Sequence, residues 1–120
     1  MKISVYENNY VRLKGRVSRI HEYSAGKAAN VTIAVDNGKD KDGNKRPASY
    51  IQTKSFAPDV YNALKDGMLV EAYCHIAPNS YGEGDAKTYT QDIVADYIVF
   101  LESKAVVDQR EAEKAAMSAE

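Results

Sequence analysis

The stretch SYIQTKSF, Ser49 to Phe56, concentrates side chains suited to binding chemistry. In a strand, alternate residues face opposite ways, so Tyr50, Gln52, Lys54 and Phe56 form one row and Ile51, Thr53 and Ser55 the other. Two flat rings separated by an amide and a cation suit the stacking of planar groups and contact with an anion. Ile51, on the opposite row, is a candidate for the core or for a subunit interface. Upstream, YVRLKGRVSRI places Arg12, Lys14 and Arg16 on one face and Val11, Leu13, Gly15 and Val17 on the other. Three cations in line serve a phosphate-tracking surface, and equally an ordinary solvent face. Lys39, Lys41, Lys45 and Arg46 form a third group in the polar segment NGKDKDGNKRP, and Tyr81 stands between Ser80 and Gly82 in NSYGEGDAK.

None of these groups composes a catalytic set. The chain has no Ser-His-Asp arrangement, no motif of paired catalytic carboxylates and no phosphate-cradling loop, since YGEGD lacks both a P-loop lysine and a preceding Rossmann strand. His21 and His75 lack partners at metal-ligand spacing. No catalytic residue, metal or cofactor is therefore expected. The one cysteine, Cys74, sits in the apolar run LVEAYCHI and reads as a small buried hydrophobe.

The elements that must position these residues follow from periodicity. YVRLKGRVSRI alternates as a strand, with mid-strand Gly15 marking a bend or bulge. AANVTIAVD is a second strand with Val31, Ile33 and Val35 inward. The charged, Gly- and Asn-rich segment after it is a hairpin loop leading into the Ser49–Phe56 strand. FAPDVYNALKDG changes to helical period: Pro58 suits the first helical position, Asp59 the first turn, Val60 and Leu64 share a face, and Gly67 suits the stop. MLVEAYCHIAP returns to strand period with Val70, Ala72, Cys74 and Ile76 inward, which leaves Tyr73 and His75 outside, for nucleic acid or for a subunit interface. TYTQDIVADYIVFL is the last strand, with Ile93, Ala95, Tyr97, Val99 and Leu101 in phase; Tyr89 and Tyr97 read as structural. Residues 105–120 form a short tail, either a marginal helix or disordered. Three strands, a helix and two strands is the order of a five-stranded Greek-key OB-fold barrel, expected over residues 1–104. Such barrels often bind oligonucleotides on the face of the second and third strands.

The bulk numbers agree with one globular domain: 120 residues, 44% hydrophobic and 28% charged. No apolar run reaches the ~20 residues of a membrane span, and MKISVYENNY lacks the apolar core of a signal peptide. A cytoplasmic, nucleoid-associated location with no membrane contact is expected. The net charge of −1 conceals an excess of +6 in residues 1–56 and −7 in residues 57–120. The basic half suits a polyanion even though the whole chain does not attract one by net charge.

The segments NYVRLKGRVSR, ANVTIAVD, SYIQTKSFAPDVYNALKDGMLVEAYCHI and TYTQDIVADYIVFLESK, in order over residues 8–104, resemble the bacterial and phage single-stranded DNA-binding protein family. The resemblance implies sequence-independent binding and protection of single-stranded DNA in replication, recombination or repair. It places Tyr50, Phe56 and Tyr81 at base-stacking positions, with Gln52 between the β3 rings and Lys54 helping to hold the phosphate; Arg12, Lys14, Arg16, Lys39, Lys41, Lys45 and Arg46 are candidates for phosphate contact and equally for plain solvated charges. It also implies a homo-oligomer, a tetramer or dimer. The departures are a complete lack of Trp, no ring in the Asn37–Arg46 loop and no cation in HIAPNSY, which together imply weaker binding. The sequence ends KAAMSAE, without the family's long linker and acidic Pro-Phe tip, so partners recruited by such a tip are not expected. The competing readings are an OB-fold used for protein contact and an RNA binder.

Overall fold

The computed structural model describes residues 8–118. Its strands are β1 (Val11–Ser24), β2 (Ala28–Val35), β3 (Ser49–Ser55), β4 (Leu69–Tyr81) and β5 (Thr88–Phe100). A four-residue helix, α1 (Pro58–Tyr61), lies between β3 and β4, and α2 (Lys104–Ser118) follows β5. The strands close a barrel in the order β1-β2-β3-β5-β4, with β4 returning to β1. Among the described strands only the β3–β5 contact, Lys54 to Val94 and Ser55 to Ala95, is parallel. Element order and closure are those of an OB-fold.

β1 is long enough to serve two walls. Its first half, Val11–Arg16, pairs with β4, and its second half, from Arg16 onward, pairs with β2. Leu13, Val17, Val31, Ile33, Met68, Val70, Ala72, Cys74 and Ile98 fill the interior. Tyr61 and Leu64 of the α1 segment plug one end, and the Tyr61 hydroxyl donates to Glu22 Oε2 at 2.6 Å. That bond to a carboxylate, helped by burial, pushes the Tyr61 phenol up to about 12. Thr53, wholly buried on the inner row of β3, is satisfied by donating to the Val31 carbonyl at 2.9 Å. Ile51 packs against the core from the same row. Cys74 is buried as expected, and burial pushes its thiol up to about 12.

Four local expectations are corrected. The irregularities of β1 fall at Ser18 and Tyr23, not at Gly15. Gly15 is needed for another reason: a Cβ there would stand 2.1 Å from the Ala34 carbonyl oxygen, so only glycine lets β1 cross β2 this closely. Helix α1 ends at Tyr61, and Gly67 is not its stop. Gly67 instead turns the chain into β4 at φ 86°, with its N–H donated to the Val17 carbonyl at 2.6 Å. In β5, a bulge at Asp96 opposite the Tyr73/Cys74 step inverts the alternation. Ile98 therefore faces the core and Tyr97 faces out, the reverse of the plain period-2 reading. Finally, Tyr81 closes β4 instead of standing in the loop.

The tail takes the helical form. Val107 is buried on the barrel, Lys65 pairs with Asp108 and with Glu111 at 3.2 Å, and Arg110 pairs with Glu102. Among the described residues no helix is long and apolar enough to cross a membrane.

Candidate nucleic-acid interface

The outer face of β1, β2 and β3 is ordered by the ladders. Reading across strands, Arg16 lies beside Ala34 and then Tyr50, Arg19 beside Thr32 and then Gln52, and His21 beside Asn30 and then Lys54. Tyr50 is 68% exposed and Phe56, just past the strand, 58%. Both rings are therefore available, and at ~3.3 Å per residue they stand roughly 20 Å apart. Between them Lys54 forms an ion pair with Asp92 of β5 at 2.9 Å and lies 5.7 Å from the Tyr23 ring centroid. Asp92 also accepts from Asn79 Nδ2 at 2.8 Å. Lys54 is thus held between a ring and a carboxylate, and an incoming phosphate must compete with Asp92 for it.

Arg19, His21, Asn30, Thr32 and Gln52 enclose a polar cleft of about 160 Å³. Asn30 lines this cleft, and its Oδ1 is buried without a hydrogen-bond partner among the described residues. Sequence reasoning missed Arg19 and Tyr23 because the bulge at Ser18 changes the parity of β1. Plain alternation from Arg12 assigns Arg19 to the core.

The cations selected from sequence do not all gather here. Arg12 lies on the other wall, beside Tyr73, and makes two 3.0 Å bonds to Glu71. The Arg12 bonds, then the Tyr73 hydroxyl, hold Glu71 below its ordinary value. Arg16 sits where the two walls meet and donates to the Gly67 carbonyl and to Glu102, each at 3.0 Å. Lys14 projects from β1 between them. Lys39, Lys41, Lys45 and Arg46 are exposed on a self-knit loop. Lys39 and Lys45 bridge, the Arg46 N–H donates to the Gly38 carbonyl, and Asp40 Oδ1 accepts from Asp42 and Asn44 N–H at 2.9 Å each. The loop therefore presents Lys45 toward the barrel from a fixed base.

Beyond Cys74, among the described residues, β4 leaves the β1 ladder and pairs with β5, with Asn9 bonding the Ile76 backbone, so residues 75–92 form a hairpin. Tyr81, 61% exposed, shares its outer face with Asn79 and Asp92. Tyr89, read as structural, is 76% exposed on the opposite face, with Lys87 Nζ 5.5 Å from its ring centroid. On the second wall Tyr10, Tyr73 and Tyr97 form a ring row with centroids 6.1 and 6.4 Å apart, and His75 Nδ1 lies 2.6 Å from Asp96 Oδ2. Among the described residues no group of three His, Cys, Asp or Glu could hold a metal.

Solved structures of similar fold include single-stranded DNA-binding proteins. A Plasmodium falciparum SSB in complex with single-stranded DNA superposes with a TM-score of 0.55 at 17% identity, over 78% of this chain and 95% of that one. A mitochondrial single-stranded DNA binding protein from S. cerevisiae gives 0.56 at 19% identity, over 79% and 96%. The small single-stranded DNA-binding protein of Streptomyces coelicolor gives 0.52 at 14% identity, over 78% and 94%. The chain shares their fold. The OB-fold is the common property at these identities. No family model matches the sequence, and no curated protein matches it.

Proposed function

We propose that this OB-fold chain binds single-stranded DNA without sequence preference, as a non-enzymatic protector of exposed strands in replication, recombination or repair. The observation that carries the reading is the outer row of β3: two solvent-facing rings flanking Gln52 and Lys54, on the barrel face beside Arg19 and Arg16. Bases stack on Tyr50, Phe56 and Tyr81, and stacking tolerates any base because each has a π-face. Phosphates run past Lys54, and a strand that continues beyond Tyr50 runs on past Lys14 and the loop cations. The SSB of Plasmodium falciparum, solved in complex with single-stranded DNA and similar in fold, supports the assignment. The proposal includes a homo-oligomer built on the Tyr10–Tyr73–Tyr97 wall, and a cytoplasmic, nucleoid-associated setting.

Titration with poly-thymidine, followed by tyrosine fluorescence at low and high salt, tests the reading. Quenching by single strands and not by duplex of equal length, with affinity falling as salt rises, is the expected outcome. No binding at low salt overturns it. Stronger competition by matched RNA reassigns the partner.

A further inference from the structure

Next to Tyr50 the outer face opens into a groove of about 600 Å³, within the ~300–1,000 Å³ range of ligand sites. It lies where β2 parts from β1 and the charged loop begins. One cross-strand row runs straight into it: Tyr50, Ala34, Arg16 and Leu69 stand side by side on β3, β2, β1 and β4. At ~4.8 Å per strand, Arg16 is roughly 10 Å from the Tyr50 position. The lining has two characters. Ala34, Val35, Ala48 and Leu69 give an apolar floor, whereas Lys14 of β1 and Lys45 of the charged loop add cations to the lining. Asp36 also lines the groove, but its Oδ1 accepts the Gly38 N–H at 2.8 Å.

The wall is fixed. Arg16 is tied to the Gly67 carbonyl and to Glu102, and Glu102 also accepts the Leu69 N–H at 2.9 Å. A single carboxylate thus holds both a floor residue and the guanidinium beside it, and α2 braces that carboxylate through Arg110.

We infer that this groove seats one nucleotide of the bound single strand, its base on the apolar floor and its phosphate between Lys14 and Lys45. The inference rests on reading the β3 face as a single-stranded DNA surface. A free anion would use the amines and leave the floor idle, and an apolar ligand would leave the amines idle. A nucleotide uses both, and the strand stacked on Tyr50 delivers one there. The planar face of Arg16 adds a further stacking surface.

Oligothymidylates of increasing length, titrated against the wild type, Lys14→Gln/Lys45→Gln and Ala34→Leu, test the assignment. Oligomers just long enough to span Tyr50 and Phe56 are expected to bind all three proteins alike. Longer ones gain affinity on the wild type alone. For these, the slope of log affinity against log salt becomes shallower by roughly 0.7 in the lysine double variant, the share of the one phosphate the two amines hold. Ala34→Leu, which fills the floor, loses the length gain with the slope unchanged. An abasic residue stepped along the long oligomer costs the wild type at one added position and costs Ala34→Leu nothing there. Equal losses on short and long oligomers, or none on either, overturn the groove assignment while the β3 reading stands. Failure of the wild type to bind any oligomer sinks the β3 reading instead. Should Ala34→Leu melt early by circular dichroism, the lysine double variant, altered only at exposed side chains, decides alone.

Discussion

At the residue scale, exposure separates side chains free to meet a ligand from those that hold the fold. Tyr50 and Phe56 are more than half exposed, so their rings contribute little to folding and much to any planar ligand. Tyr50→Ala and Phe56→Ala are each expected to cost ~1–3 kcal/mol of single-strand affinity with the melting temperature nearly unchanged. Affinity loss accompanied by an equal fall in melting temperature would refute a stacking role. Lys54 makes a less obvious case. Its ammonium is held by Asp92, whose charge also repels any phosphate arriving there. Asp92→Asn is therefore expected to tighten binding and steepen its salt dependence, since a freed lysine adds up to ~0.7 to the slope. Weaker binding by this variant would mean that Asp92 positions Lys54 usefully instead of competing with phosphate.

At the element scale, strands and their order were legible because period-2 alternation is written into β1, β2, β3 and β4. The bulges at Ser18 and Asp96 were not legible. Each inserts one residue, and neither Ser18 nor Asp96 is a residue type that demands a bulge. That one-residue shift hid Arg19 and Tyr23 and turned Tyr97 from core to surface. Gly15 was legible as special but misread, because close approach to Ala34 is a property of the β2 strand that β1 crosses. Gly15→Ala is expected to destabilise by at least the ~1–3 kcal/mol typical of overpacking, as measured by denaturant titration. The docking of α2 was illegible as well, since it depends on Glu102 meeting Arg16 from 86 residues away. The Arg110 bond, followed by the Leu69 amide, lowers Glu102 from 4.5 to about 2. A lowered carboxyl stabilises fully above about 4.5, and that contribution is lost as pH falls toward 2. Acid melts of the wild type should show this loss, and Glu102→Gln should remove its share of the pH dependence across that window. Identical pH profiles for the two proteins would show that Glu102 does not couple α2 to the barrel.

At the scale of the whole molecule, the chain is wider than its length requires. Its Cα radius of gyration is 17.0 Å, against ~13.6 Å for a compact domain of this size. The excess comes from features that leave the barrel: the β4–β5 hairpin past Cys74, the charged loop and α2. The hairpin and the wall beside it carry apolar surface outward, including Tyr10, Tyr73 and Tyr97 in line and Phe100 near the wall's end. Rings in such a row on a sheet face, with Tyr97 bordering the Ser55–Ala57 end of β3, are better suited to a second copy of the chain than to DNA. Arg12 and Glu71 neutralise each other within this wall, so it offers a strand little net charge. Tyr97 is 51% exposed, and a charge there would oppose assembly while leaving the core intact. Tyr97→Glu is expected to reduce the sedimenting mass from an oligomer to a single chain. Short oligothymidylates, which need only the β3 face, would still bind, while the length of DNA covered per particle would fall. A wild type that sediments as a monomer at every concentration would remove the oligomer. Retention of mass by Tyr97→Glu would place the interface elsewhere, on the hairpin bearing Tyr89 or on α2.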